Sequence, residues 1–196
     1  MKLDPSFYLR NSVVSIAKDL IGKSIFTRKH GKTTGGIIVE TEAYSRKERG
    51  CHAYQNRMTP RNKVMFDEGG HAYVYLCYGI HNLFNVVTNR EGVADAVLIR
   101  ALEPVEGLHE MMKRMNVNTP RRITAGPGKL TKAMSIDRSV NGDHLCSKHL
   151  WLEDTGINVK VTEISSSPRI GIAYAGEDAL LPWRFTLKGN SWVSKL

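Results

Sequence analysis

The sequence predicts an α+β fold: a single domain over residues 1–196, built around a curved, mostly antiparallel β-sheet with surrounding helices and a protruding β-hairpin. The chain of 196 residues, 41% of them hydrophobic, is long enough to bury one good core and short for two. Strand candidates follow one another without the regular helical crossovers that a parallel sheet requires. Few segments have the periodicity of amphipathic helices.

The first elements are a helix and a strand. Residues 12–21 carry apolar side chains at helical spacing, after a possible cap at Asn11 or Ser12 and before Gly22. Residues 36–44 are rich in β-branched side chains, which favours a strand. Period-two alternation would place one set of side chains on each face: Ile37, Val39, Thr41 and Ala43 on the first, and Ile38, Glu40, Glu42 and Tyr44 on the second.

The middle of the chain predicts a short helix and a hairpin. Thr59 and Pro60 have the pattern of an N-cap followed by proline at the first helical position, in a helix that ends near Phe66. Residues 72–77 and 83–87 are strand candidates, and the segment between them has a length typical of hairpin loops. We therefore predict a β-hairpin with its tip near Tyr78.

The later elements are a strand and two helices. Residues 96–102 predict a strand, and Pro104 is predicted to open a helix with an apolar face of Leu108, Met111, Met112 and Met115. Residues 119–122 predict a loop, and residues 126–128 lead into a helix that contains Leu130 and Met134. The remainder predicts short strands and turns.

Charge and composition narrow the function classes. The excess of 28 Lys and Arg over 19 Asp and Glu gives a formal charge of +9, which favours a polyanionic partner. Three cysteines without a C-x-x-C pair argue against a disulfide framework and against a cysteine-rich zinc site. Because no apolar run approaches membrane-spanning length and no signal peptide is visible, we expect a cytoplasmic, nucleoid-associated protein with no membrane partner.

The segment from residue 40 to residue 100 holds the residue types that hydrolysis of an N-glycosidic bond requires. These are a base for water, a pocket for an extruded nucleobase and groups that hold the backbone. Glu40 and Glu42 share a strand rich in Ile and Val, which is a costly place for two carboxylates unless a polar cleft is present. An edge strand with a solvated polar face is the alternative. Rings with polar tips, suited to stacking on a base, are concentrated in the same region: Tyr44, His52, Tyr73, Tyr75 and Tyr78.

Ordered motifs extend over nearly the whole chain: IVETEAY at 38–44, HAY at 52–54, TPRN at 59–62, AYVY at 72–75, YG at 78–79, VLIRALEP at 97–104, AGPGKL at 125–130 and SWVS at 191–194. Together they resemble the alkyladenine (3-methyladenine) DNA glycosylase family in a short bacterial-type form. The chain differs from vertebrate members in lacking a long N-terminal extension, and in having Gly128 where those carry a serine.

The resemblance implies a base-excision-repair enzyme that flips alkylated or deaminated purines out of duplex DNA and hydrolyses the N-glycosidic bond. It implies that Glu42 is the general base and that Arg100 lies near the water and the DNA backbone, although a surface salt bridge is the alternative for Arg100. The other implied roles are pocket lining by Tyr44, His52 and Tyr75, rejection of normal guanine by Asn85, a wedge at Tyr78, and DNA contacts by Arg61 and Lys129.

Other function classes make different demands on the same residues. A P-loop is rejected, because Ile123 and Leu130 stand where glycine and Ser or Thr are required. A metal-dependent nuclease could use Glu40, Glu42 and His52 as ligands, and a catalytically silent nucleic-acid-binding module is a third possibility. No lysine matches a functional position of the family pocket, so we predict a monofunctional enzyme without strand cleavage. We expect a monomer that acts on double-stranded DNA with damaged purines, without a cofactor or a metal.

Overall fold

Eight strands form one antiparallel sheet in the computed structural model, which describes residues 1–195. The strands are β1 (Ser24–Lys29), β2 (Lys32–Tyr44), β3 (Ala72–Cys77), β4 (His81–Thr88), β5 (Asp95–Glu106), β6 (Leu150–Glu153), β7 (Ile164–Ser167) and β8 (Arg184–Leu187). The main order is β3-β4-β5-β2-β1-β6, while β8 pairs with β2 and with β7. Every pairing is antiparallel, so the predicted α+β class is confirmed.

The α-helices of the described residues are short and flank this sheet. They are α1 (Val13–Asp19), α2 (Leu108–Met115) and α3 (Pro127–Met134). Single turns of 3-10 helix cover Pro5–Phe7, Tyr54–Asn56, Lys63–Phe66, Arg138–Val140 and Val161–Glu163, and a longer 3-10 segment covers Ala173–Leu180. The predicted first helix is confirmed, with the Ser12 hydroxyl accepting a hydrogen bond from the Ser15 amide at 3.2 Å. In residues 1–195, no helix is both long and apolar enough to span a bilayer.

The predicted helix start at Pro104 is wrong. Strand β5 continues through Pro104 to Glu106, and α2 begins at Leu108. Pro104 lies beside a register shift in the pairing with β2, where a missing N–H is tolerated. Gly107 makes the turn into α2 with φ of 69°, a left-handed conformation that favours glycine.

The prediction for residues 59–66 is correct at its end and wrong at its start. The helical turn ends at Phe66 as expected, but it begins at Lys63 and is a 3-10 helix. The buried Asn62 organises this loop, since its side chain accepts from the Thr59 amide at 2.7 Å and donates to the His52 carbonyl at 2.8 Å. The hydrogen bonds of Asn62 therefore fix the backbone at His52.

The predicted hairpin is confirmed. Strands β3 and β4 pair from Ala72 opposite Val86 to Cys77 opposite His81, which leaves residues 78–80 as the turn. Tyr78 adopts a left-handed backbone with φ of 49°, and its side chain projects from the tip with 88% of its surface exposed.

Two compensating bulges interrupt the long pairing of β2 with β5. Ile38 pairs with Leu102, Glu40 with Ala101, and Thr41 with Ile99, so β2 has one extra residue at Val39 and β5 has one at Arg100. The predicted alternation is therefore wrong before the bulge, where Ile37 and Ile38 lie on the faces opposite to those predicted. Ile38 packs into the core cluster that also contains Ala43.

The two faces of the sheet bury different clusters. The larger core joins the helices to side chains such as Phe84, Val86, Val97 and Ile99. Alternate residues of the same strands, including Tyr73 and Ala96, face the opposite side and pack with Met65 and Phe66. The candidate site is built on this second face.

Candidate active site

A cleft of about 720 Å³ opens between the β3–β4 hairpin, the start of α3 and the segment 170–174. It is lined by eight of the nine residues predicted for the site: Tyr44, His52, Arg61, Tyr75, Tyr78, Asn85, Arg100 and Lys129. The ninth, Glu42, is fully buried directly behind Tyr44 and Arg100. The fold thus brings together residues from five separate parts of the chain.

Two hydrogen bonds and one ion pair hold the Glu42 carboxylate. Its Oε2 atom accepts from the Tyr44 hydroxyl at 2.8 Å and lies 3.3 Å from Nη1 of Arg100. Its Oε1 atom accepts from the backbone amide of Ile170 at 2.8 Å. Each carboxylate oxygen can accept about two hydrogen bonds, and Oε1 accepts one, so it has a position for a further donor. Because all three partners line the cleft, that position lies next to it.

Glu40 is also fully buried, and four hydrogen bonds hold it, three of them to the same oxygen. Oε1 accepts from Nε of Arg100 at 2.8 Å, from Nε of Arg184 at 2.7 Å and from the Ser194 hydroxyl at 2.8 Å. Oε2 accepts from the Ser194 amide at 2.7 Å. Burial raises the pKa of Glu40, but Arg100 and the hydrogen bonds from Arg184 and Ser194 outweigh it, so the pKa is lowered overall. Glu40 is therefore a charged structural centre set behind the cleft, since its partners Arg184 and Ser194 do not line the cleft.

Arg100 connects the two carboxylates. Its Nε donates to Glu40 while Nη1 faces Glu42, and the residue is only 7% exposed, on the wall of the cleft. A surface salt bridge, the alternative considered for this residue, does not fit these contacts. Arg100 is the extra residue of the bulge in β5, and its guanidinium reaches both acids of the neighbouring strand β2.

Aromatic rings form one wall of the cleft. The His52 and Tyr75 rings are 4.6 Å apart between centres and meet edge to face, while Nδ1 of His52 lies 2.9 Å from the Tyr73 hydroxyl. The surrounding protein, and then the positive charge of Arg61, lower the pKa of His52 to about 4, although part of the residue faces the open cleft. Burial raises the pKa of Tyr73 to about 12 and that of Tyr44 well above its usual value. The wall is thus uncharged at neutral pH.

The remaining predicted residues lie at the rim and floor of the cleft. Asn85 is buried and donates from Nδ2 to the Tyr73 carbonyl at 3.1 Å, which fixes its amide. The exposed Arg61 guanidinium stacks 4.9 Å from the centre of the Tyr75 ring. Lys129 is exposed in the first turn of α3, beside Gly128. A Cβ atom at Gly128 would lie 2.9 Å from Cγ of His81, so a serine here requires His81 to move.

Sequence reasoning missed several residues of the site. Arg169 is buried in a bidentate pair with Glu48 at 2.7 and 2.8 Å, and its guanidinium lies 4.7 Å from the centre of the Tyr44 ring. It holds the segment that presents the Ile170 amide to Glu42. In the sequence, Arg169 has no feature that separates it from a surface cation. Ser194 lies in a motif of the resemblance, but no role was assigned to it.

The acids and His52 do not form a metal-ligand set. Both carboxylates are held by arginine, and Nδ1 of His52 is directed at Tyr73. Over residues 1–195 there is no group of three or more His, Cys, Asp or Glu side chains that could hold a metal ion.

Comparisons with known proteins identify the family. Residues 6–191 match the family model for methylpurine-DNA glycosylase. A Natranaerobius thermophilus protein assigned as a 3-methyladenine DNA glycosylase is 44% identical over 99% of this chain and 99% of its own length. Proteins with the same assignment from Chlamydia felis and Methanocella arvoryzae are each 45% identical, over 94% and 100% of this chain and 95% and 97% of their own lengths. On this similarity over almost its full length, the chain belongs to the methylpurine-DNA glycosylase family.

Proposed function

We propose that this chain, a hydrolytic DNA N-glycosylase by its family, excises alkylated purines such as 3-methyladenine from duplex DNA by flipping the base into the cleft and activating water with Glu42. The observation that carries the proposal is the difference between the two buried acids. All the contacts that hold Glu42 come from residues that line the cleft, whereas Glu40 is held largely by Arg184 and Ser194, which do not line it.

The cleft suits an extruded purine. Its volume of about 720 Å³ lies within the ~300–1,000 Å³ of ordinary small-molecule sites. The rings of Tyr44, His52 and Tyr75 offer faces and edges for stacking. Because His52 is neutral, the wall does not repel an alkylated purine that carries a positive charge. Asn85, fixed by its bond to the Tyr73 carbonyl, supports selection against guanine by excluding the exocyclic amino group.

The proposed reaction needs one proton acceptor and a stabilised sugar cation. Water attacks the anomeric carbon as the bond to the base breaks, the departing purine takes the bonding electrons, and Glu42 takes the proton from water. The negative charge of Glu42 stabilises the oxocarbenium-like sugar. Tyr44, Arg100 and the Ile170 amide hold the carboxylate for this role.

The proposal includes base removal without strand cleavage. A lysine that attacks the sugar must usually be activated by desolvation or by a nearby cation. Lys129, the lysine on the cleft wall, is exposed at the rim and is better placed to meet a phosphate. We further propose that the enzyme works as a monomer, because one chain supplies the carboxylate, the aromatic wall and the hairpin tip that a single site needs.

The test compares Glu42→Gln with Glu40→Gln in single-turnover excision from a lesion duplex. Glu42→Gln should lower the rate about a hundredfold or more, the scale of general-base catalysis, while lesion binding persists. Near-normal excision by this variant would overturn the assignment of the base. Release of free base with an intact strand, unaffected by EDTA, separates the proposal from a metal-dependent nuclease. Tight lesion binding without excision by the unmodified protein would favour a silent binding module.

A further inference from the structure

Buried charges of alternating sign form a continuous chain that ends at Glu42. Nε of Arg184 contacts Glu40 at 2.7 Å, Glu40 contacts Nε of Arg100 at 2.8 Å, and Nη1 of Arg100 lies 3.3 Å from Glu42. Each of these four residues is at most 8% exposed. In such surroundings an ion pair is screened little, so the position of one charge strongly affects the next.

Ser194 closes this chain at Glu40. Its backbone amide donates to Oε2 at 2.7 Å and its hydroxyl donates to Oε1 at 2.8 Å, so one residue spans both oxygens. Among the described residues, only Ser194 donates to Oε2 of Glu40, whereas Arg100 and Arg184 both donate to Oε1. The two hydrogen bonds from Ser194 thus fix the rotation of the Glu40 carboxylate about its Cγ–Cδ bond.

The segment that carries Ser194 is anchored separately. Arg122 donates to the carbonyls of Ser191 and Val193 at 2.8 and 2.6 Å, and Asn190 donates to Glu103 at 2.6 Å. Trp192 packs against the main core cluster. These contacts do not involve the Ser194 hydroxyl, so its removal should leave the segment in place.

We propose that Ser194 is a positioning residue of the glycosylase reaction, which fixes Glu40 so that Glu40 holds Arg100 against Glu42. This inference rests on the proposed function of Glu42. Without the hydroxyl, Oε1 of Glu40 keeps two cationic donors and Oε2 keeps one amide, which allows the carboxylate to turn towards Arg184 or Arg100. Arg100 then loses the fixed partner of its Nε atom, and its contact with Glu42 becomes less well defined.

The test uses Ser194→Ala in the full chain, with Ser191→Ala as the matched control. The side chain of Ser191 is exposed and makes no hydrogen bond within residues 1–195, although its carbonyl is held by the same segment anchor. Ser194→Ala should lower the single-turnover excision rate about tenfold, the effect of one hydrogen bond to a charged group, with the lesion-duplex Kd within about twofold of the original. Ser194→Thr keeps the hydroxyl and should restore most of the rate. If Ser194→Ala melts below the assay temperature, Ser194→Thr and Ser194→Val provide a pair of equal shape with and without the hydroxyl.

A double-mutant cycle separates positioning from a general structural role. If Ser194 acts through Glu40, Ser194→Ala should have almost no further effect on the rate in a Glu40→Gln background. An unchanged rate in Ser194→Ala, or the full tenfold effect persisting in the Glu40→Gln background, would overturn this inference. Failure of the proposed function is distinguishable, because it would show as near-normal excision by Glu42→Gln whatever Ser194→Ala does.

Discussion

Replacing Tyr78 with alanine tests the proposed wedge at the hairpin tip. The ring is 88% exposed and its hydroxyl has no hydrogen-bond partner in residues 1–195, so the free energy of unfolding should change by less than ~0.5 kcal/mol. Alanine has a Cβ atom as tyrosine does, so the substitution should not change the cost of the left-handed backbone, whose φ is 49°. In the complex the ring would fill the gap left by the flipped base, where stacking on an aromatic ring is worth ~1–3 kcal/mol. The expected loss is therefore about 5- to 150-fold in affinity for a lesion within a duplex.

The assay measures binding and single-turnover excision with the lesion placed either in a paired duplex or in an unpaired bulge. The loss should be concentrated in the duplex, because an unpaired base needs little unstacking. His30→Ala is the matched control, since His30 is an exposed residue with φ of 51° in the turn between β1 and β2, outside the cleft. Equal losses on both substrates would refute the wedge, as would an equal effect of the control.

Other expected outcomes follow from the same cleft. Asn85→Ser shortens a buried amide and should permit slow release of undamaged guanine, and unchanged guanine release would remove that assignment. Binding to duplex DNA should weaken steeply with salt, and Arg61→Gln should reduce the slope of log K against log salt by about one, unlike Lys148→Gln outside the cleft. The His52 ring should titrate near pH 4 by NMR, and Arg61→Gln should raise that midpoint partway, since burial is the larger cause. Because this pKa lies below the unfolded value of ~6.5, acidification from pH 6.5 to 4 should favour unfolding, and a midpoint near 6.5 would show that solvent in the open cleft outweighs the burial of the ring.

The sequence predicted those parts of the fold and site that depend on local pattern. The hairpin was predictable because two β-branched and aromatic runs flank a loop of suitable length. Period-two alternation predicted that Glu42 and Tyr44 share a face, and the alternation holds there because both residues lie beyond the bulge of β2. The resemblance, not the pattern, supplied the distinction between Glu40 and Glu42.

The other parts depend on contacts between distant segments. Pro104 has the pattern of a helix start, but pairing of β5 with β2 overrides it. Arg169 and the Ile170 amide reach the site from more than 120 positions along the chain, as separations of 126 and 128 residues to Ala43 and Glu42 show. The spacing of residues within a short stretch of sequence does not indicate such contacts. The hydroxyl of Ser194 is likewise indistinguishable in sequence from that of the exposed Ser191.

The paired bulges in β2 and β5 make Arg100 a supernumerary residue of the sheet. On both sides of the bulges the pairing keeps the same offset, since the two residue numbers sum alike for Ile38 with Leu102 and for Thr41 with Ile99. Omitting Val39 and Arg100 together would leave the strands in the same register, with the same side chains directed at the core. The backbone hydrogen bonds of the sheet therefore do not depend on Arg100, and its guanidinium does not replace a side chain of the core. The contact of Arg100 with Glu42 and the geometry of the sheet can thus change independently at this one point of the fold.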